Sequence, residues 1–423
     1  MISNITVPLL SIVDISLAGR MGTAGAIGAV AVAGGVVNFV YWLFAFLRMG
    51  TTGYTAQAFG RSDVKAITLQ LARGISLGLL AAIIIIAARP LLYHFSYLLS
   101  AGRDTISGEA QRYLSIAFMG APAALMMYVF NGWYVGMQNT RIPMIVAITS
   151  NIINITLSLY FVKVMQLGIP GLAIGTVIAQ YAALGMLILY ARLRFGRILR
   201  FMQLSQLKDT RGYGDYLRTG RDLFLRTAML GSVTLFFTWA SSYSGEVTVA
   251  ANALLMQLFT LFSYFMDGFA YAGEALTGRY LGHRKPRELH IMVRQLFRIG
   301  WALSVLASLI YLFFPETIIR IFSNEPQVVA HAIGSAYWAA LIPIVSFGAF
   351  LWDGIFVGAT ASKELRQTMT AAFVIYFIIY FSTRNLLGEG ALWLAFICYL
   401  GMRSVMQHFL SRKVLSMSRA STA

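Results

Sequence analysis

The chain has 423 residues, of which 58% are hydrophobic and only 12% charged, with a formal net charge of +17. A soluble protein of that length carries about a quarter charged residues, so the composition excludes a soluble enzyme or binding domain. The basic excess sits between long apolar runs, so it is a topology signal, and no nucleic-acid partner is expected.

In chain order, apolar runs predict twelve spanning helices at roughly 1–18, 25–50, 66–93, 108–135, 142–162, 168–191, 222–243, 247–277, 290–314, 327–358, 365–383 and 389–410. Each is long enough, at about 20 residues, to cross a hydrocarbon core of roughly 30 Å. Runs such as LLAAIIIIAARPLLY (79–93) and VIYFIIYF (374–381) lack the alternation of a barrel strand. The expected fold class is an all-α polytopic membrane protein with two pseudo-symmetric six-helix lobes.

The first run carries Asp14 inside ITVPLLSIVDISL (5–17). An ionised Asp at the centre of a membrane helix costs roughly 2.5–3.5 kcal/mol. It persists only beside water or by taking a proton, so Asp14 is the candidate proton or cation carrier. No cleavable signal precedes this run. The chain enters it at once without a basic flank, as expected of a misassigned start or a shortened form.

With both termini cytoplasmic, the inward loops hold Arg61 and Lys65; Arg141; Arg192, Arg194, Arg197, Arg200, Lys208, Arg211 and Arg218; Arg284, Lys285 and Arg287; Lys363 and Arg366; and Arg412, Lys413 and Arg419. The outward loops hold little beyond Arg20, Arg103, Lys163 and Arg384. That asymmetry obeys the positive-inside rule and orients the chain. Arg48, at the inner part of the second span, is expected to snorkel and fix a helix end. Cys398 is the lone cysteine, so no disulfide is expected.

The longest polar stretch divides the spans six and six. The expected organisation is an N-lobe at 1–195, a cytoplasmic linker at 196–221 and a C-lobe at 222–423 ending in a short basic tail. A weak repeat supports the division. NGWYVG (131–136) is answered by DGIFVG (353–358), and AFGRSDVK (58–65) by YLGHRKPR (280–287), both 222 positions later. Six spans per half start both halves on the same side, a parallel repeat around an axis along the membrane normal. A cavity between two such lobes, opened alternately, is a transporter's geometry.

SNITVPLLSIVD (3–14), FLRMGTTGYTAQAFG (46–60), FAYAGEALTGRYLG (269–282) and LWDGIFVGATASKELRQTM (351–369) resemble the DinF-like branch of the multidrug and toxic compound extrusion (MATE) transporters, over essentially the whole chain. The resemblance implies a secondary antiporter of the bacterial cytoplasmic membrane. It would export amphipathic or cationic small molecules in exchange for protons or sodium, without a cofactor, as a monomer in the lipid bilayer. Relatives read Asn-x-x-x-Asp on the fifth span, whereas here Asn154 is followed by Ser158. One turn keeps both positions on one face, but the second acid is absent, so sodium binding at Asp14, Asn154 and Thr176 is expected to be weak at most. The relatives' kink proline would fall just before Met1; Pro8, six residues ahead of Asp14, remains and would remove one backbone bond.

Asn154 and Thr176 match family cation-site positions. Asn151, Tyr113 and Tyr128 are candidate N-lobe lining groups; for Asn151, Asn154 and Thr176 the alternative reading is ordinary helix–helix contacts at about 0.6 kcal/mol each. Asp267 and Glu274, seven apart, share a face of the eighth span. With Asp353 on the tenth they form a candidate C-lobe acidic site, or else a helix-end network with Arg226, Arg279 or Arg298.

No Gly-x-x-x-x-Gly-Lys-Ser/Thr loop exists to cradle ATP, and His94, His283, His290, His331 and His408 show no metal-ligand or triad spacing. An enzyme is not expected, nor a resident metal. The alternative function is a flippase for a lipid-linked oligosaccharide or peptidoglycan precursor on the same superfamily fold. Its pyrophosphate would need basic residues where the first lobe offers an acid. A major-facilitator carrier is disfavoured because GRSDVKA (60–66) lacks that class's Asp-Arg-x-Gly-Arg-Arg loop.

Overall fold

A computed structural model describes residues 24–99, 104–202 and 210–420. In order the helices are α1 (Ala24–Leu43), α2 (Phe46–Gly60), α3 (Val64–Ala87), α4 (Arg89–Leu99), α5 (Asp104–Ala117), α6 (Ala121–Gly136), α7 (Arg141–Leu159), α8 (Gly168–Leu199), α9 (Thr210–Ser241), α10 (Glu246–Gly282), α11 (Pro286–Phe313), α12 (Pro315–Phe322), α13 (Pro326–Gly334), α14 (Ala336–Gly358), α15 (Ser362–Leu387) and α16 (Gly390–Ala420). No strand occurs among the described residues. Ten stretches among them are long and apolar enough to cross a membrane, from Gly28–Gly60 to Ser362–Leu387, and they follow the second to eleventh predicted spans. The last predicted span falls on α16, and the first lies outside the described residues. The fold is an all-α polytopic membrane protein.

Large apolar side chains that would aggregate a soluble protein point outward, among them Ile83, Leu189, Ile378 and Phe409; in lipid these are the solvated face. Prolines mark the breaks. Pro122 follows a short 3₁₀ turn, Phe118–Gly120, that separates α5 from α6 within one span. Pro286, Pro315 and Pro326 each open a helix at the position where a missing N–H costs nothing.

The chain forms two compact units, Met1–Tyr216 and Leu217–Ala423, each with its own apolar core. The division falls inside α9, within the stretch expected to separate the lobes. Tyr216 belongs to the first unit, where it stacks on Tyr54 and its hydroxyl reaches the Leu47 carbonyl at 3.2 Å and the Thr51 hydroxyl.

The repeat at 222 positions extends to individual backbone bonds. α2 ends with Ser62 at φ 56°, and the N–H groups of Ser62 and Asp63 return to the carbonyls of Phe59 and Ala58. α10 ends in the same Schellman motif, with Arg284 at φ 56° and Arg284 and Lys285 bonded to Leu281 and Tyr280. The ends of α6 and α14 form a second matching pair through Gln138 and Thr360. Helix crossings match as well. A β-carbon on Gly132 would strike the Arg48 carbonyl, and one on Gly136 the side chain of Thr55. In the second unit Gly354 meets the Ala270 carbonyl and Gly358 the side chain of Thr277 in the same way. Small residues four apart let α6 seat on α2, and α14 on α10, at backbone contact, where packing rather than the hydrophobic effect holds helices together in lipid.

Candidate functional site

Asp14 lies outside the described residues. Around its expected partners, the first unit builds a short polar chain between α7 and α8. Asn154 is 3% exposed and donates its amide to Thr176 Oγ1 at 3.0 Å. The fully buried Ser158, one turn along α7, donates to Asn154 Oδ1 at 3.5 Å. Thr176 passes its own proton to the Leu172 carbonyl at 3.1 Å. All donors run one way, so the oxygens of Ser158, Asn154 and Thr176 keep lone pairs over for a further donor or a cation. α7 approaches α8 this closely because Gly175 faces Ser158, where a β-carbon would press on the serine backbone.

The structure therefore brings Asn154 and Thr176 together and adds Ser158. Ser150, one turn earlier on α7, bonds the Ala179 carbonyl of α8 at 3.3 Å and continues the seam. Asn151 is half-buried on the adjacent face of α7. Tyr113 is buried in the core on α5, with Tyr128 packed against that core on α6.

In the second unit, Glu274 is buried at 2% exposure and Asp267 is half-buried, both on α10. Asp353 sits on α14 and turns to other helices. It accepts from Arg226 of α9, from Arg403 of α16 at 2.7 Å and from Gln407 of α16 at 2.5 Å. Two guanidiniums surround one carboxylate, so this locus carries no surplus negative charge for a cation. Arg403 and Gln407 were not among the expected groups. Their signal was an Arg and a Gln at i and i+4 in an otherwise apolar run, LWLAFICYLGMRSVMQHFL (392–410). Nearby, Asp222 of α9 accepts from Arg366 of α15 at 3.0 Å, and Glu364 of α15 accepts from Lys413 of α16 at 2.9 Å. Three carboxylates thus tie α9, α14, α15 and α16 to one another.

Comparison with known proteins identifies the family. The MatE family model matches residues 1–160 and 223–382, two segments set apart by the same 222 positions as the internal repeat. DNA damage-inducible protein F of Escherichia coli (strain K12) is 34% identical over 95% of this chain and 88% of its own length. The multidrug resistance protein MdtK of Proteus mirabilis is 23% identical over 90% of this chain and 88% of its own. A crystal structure of MATE in the bent conformation superposes with a TM-score of 0.92 at 17% identity, covering 100% of this chain and 95% of that one. The match of the family model to both halves, with 34% identity along nearly the whole length, places the chain in the MatE family of multidrug efflux transporters, in its DinF-like branch.

Proposed function

We propose that the protein is a secondary antiporter that exports amphipathic, often cationic compounds in exchange for protons, with protonation of Asp14 as the coupling step. The observation that carries this reading is the distribution of acids in the first lobe. No Asp or Glu occurs on the described spans between Glu109 and Asp209, Asp63 and Asp104 stand at helix starts, and Glu109, at the start of its span, is partly exposed and paired with Arg112 at 3.1 Å. Asp14 is then the one carboxylate of that lobe set inside an apolar run. Ser158, Asn154 and Thr176 offer only neutral oxygens, which favours a proton on Asp14 over a firmly held sodium ion.

In this scheme, the outward-open protein takes a proton onto Asp14 from the more acidic side. Neutral Asp14 no longer needs polar surroundings, so the first helix repacks and the cargo is displaced. After reopening inward, Asp14 loses the proton and its charge attracts the next cation. Proton and cargo exclude each other at one group, and that exclusion is the coupling free energy. The membrane potential adds about 2.3 kcal/mol per charge per 100 mV. Basic loops orient both termini to the cytoplasm of a bacterial inner membrane, and the working unit is the monomer.

The test is transport in proteoliposomes with pH and sodium gradients imposed separately. A pH gradient alone should drive efflux, and Asp14→Asn should abolish that efflux while leaving a monodisperse, folded protein. Undiminished efflux by Asp14→Asn refutes the assignment.

A further inference from the structure

The end of α8 carries a charge pattern that the antiport scheme proposed above does not use. Arg194, Arg197 and Arg200 recur every three residues and are exposed, with Arg192 just before them. Among the described residues none of the four guanidiniums has a hydrogen bond or an ion pair, in contrast to Arg366 on Asp222 and Lys413 on Glu364. No acidic residue lies between Glu109 and Asp209 in sequence to neutralise them locally.

The other side of the same segment is anchored. Phe195, Ile198, Leu199 and Met202 pack against the core of the first unit. Phe195 leaves helical geometry at φ −125°, ψ 16°, and lodges its ring edge-on against Trp133 at 5.5 Å and beside Tyr134 at 5.9 Å. The turn beyond it is closed by Arg200 N–H on Gly196 and Phe201 N–H on Ile198. The arginines are thus held on a fixed scaffold. Leu193 and Phe201, 73% and 52% exposed, flank them with apolar groups suited to the acyl boundary.

Depth agrees with this. At about 1.5 Å per residue, Arg194 and Arg200 lie about 39 and 48 Å along α8 from Gly168. That is beyond a hydrocarbon core of roughly 30 Å, from the headgroup level to its aqueous edge.

We propose that Arg194, Arg197 and Arg200 form a binding surface for the anionic phospholipid headgroups of the leaflet in which α8 ends. The physical reason is complementarity: fixed guanidiniums with no carboxylate partner among the described residues take phosphate oxygens in bidentate fashion. The positive-inside rule requires only basic residues on one side; it does not require them unpaired, in register and rigidly backed.

Native mass spectrometry of the full-length protein, offered equal amounts of phosphatidylglycerol and phosphatidylcholine, tests the proposal. Wild type should retain phosphatidylglycerol preferentially. The triple variant R194Q/R197Q/R200Q should lose that preference by roughly five-fold per arginine, and the triple lysine variant should keep most of it. Equal retention by the glutamine variant overturns the proposal, as does equal loss from an R284Q/R287Q control in the other half. Should the glutamine variant not remain monodisperse, salt decides on wild type alone: preference for phosphatidylglycerol must fall as ionic strength rises, and a salt-independent preference overturns the proposal.

Discussion

Arg403 reaches Asp353 at 2.7 Å from the last helix, and Arg226 reaches the same carboxylate oxygen from α9. The side chains of Arg226 and Arg403 are 8% and 3% exposed. A carboxylate so enclosed holds helices more readily than it trades ions. Breaking a buried pair by removing one partner costs about 3–5 kcal/mol. Asp353→Ala should therefore lower the thermal midpoint of the purified protein sharply. The double change Asp353→Leu with Arg403→Met should recover part of the loss, because it leaves fewer unmatched buried charges. A thermal shift in detergent measures both; a neutral Asp353→Ala would argue that the pair contributes little.

Ser158 stands one turn from Asn154 and 3.5 Å from its side-chain carbonyl oxygen. Ser158→Asp would add a charged oxygen ligand beside two neutral ones. The expected outcome is a sodium-driven component of efflux absent from wild type, read in proteoliposomes under a sodium gradient at constant pH. If sodium still drives nothing, the Asn154–Thr176 locus is not a cation site.

The matched glycines make a paired prediction. Gly132→Val and Gly354→Val each drive a side chain into a backbone carbonyl, that of Arg48 or Ala270. Overpacking costs about 1–3 kcal/mol where neighbours can yield, and backbone yields less than side chains. Both variants should be destabilised to a similar degree, whereas Gly185→Ala, with open space around it, should be near neutral.

Topology follows from the charge distribution. In a Cys398→Ala background, a cysteine at Arg284 should react with an impermeant maleimide only in inverted vesicles. One at Arg384 should react in intact cells. The reverse pattern would turn the antiport scheme around.

The all-helical membrane class, the number of spans and the doubling at 222 positions were legible in the residues. Apolar run length against bilayer thickness decides the first two, and the third shows in NGWYVG and DGIFVG themselves. Asn154 and Thr176 were singled out by the family resemblance as partners of Asp14; their hydrogen bond to each other comes from the packing of α7 on α8. Legibility ended where partners come from far along the chain. Asp353, 86 and 79 residues from Asp267 and Glu274, read either as part of an acidic site with them or as a helix-end partner of Arg226, and Arg403 was not foreseen. Its true partners, Arg226 and Arg403, stand 127 and 50 residues away. Periodicity places a side chain on a face of its own helix, but which helix meets that face is settled by packing, and a buried charge takes whichever opposite charge that packing presents.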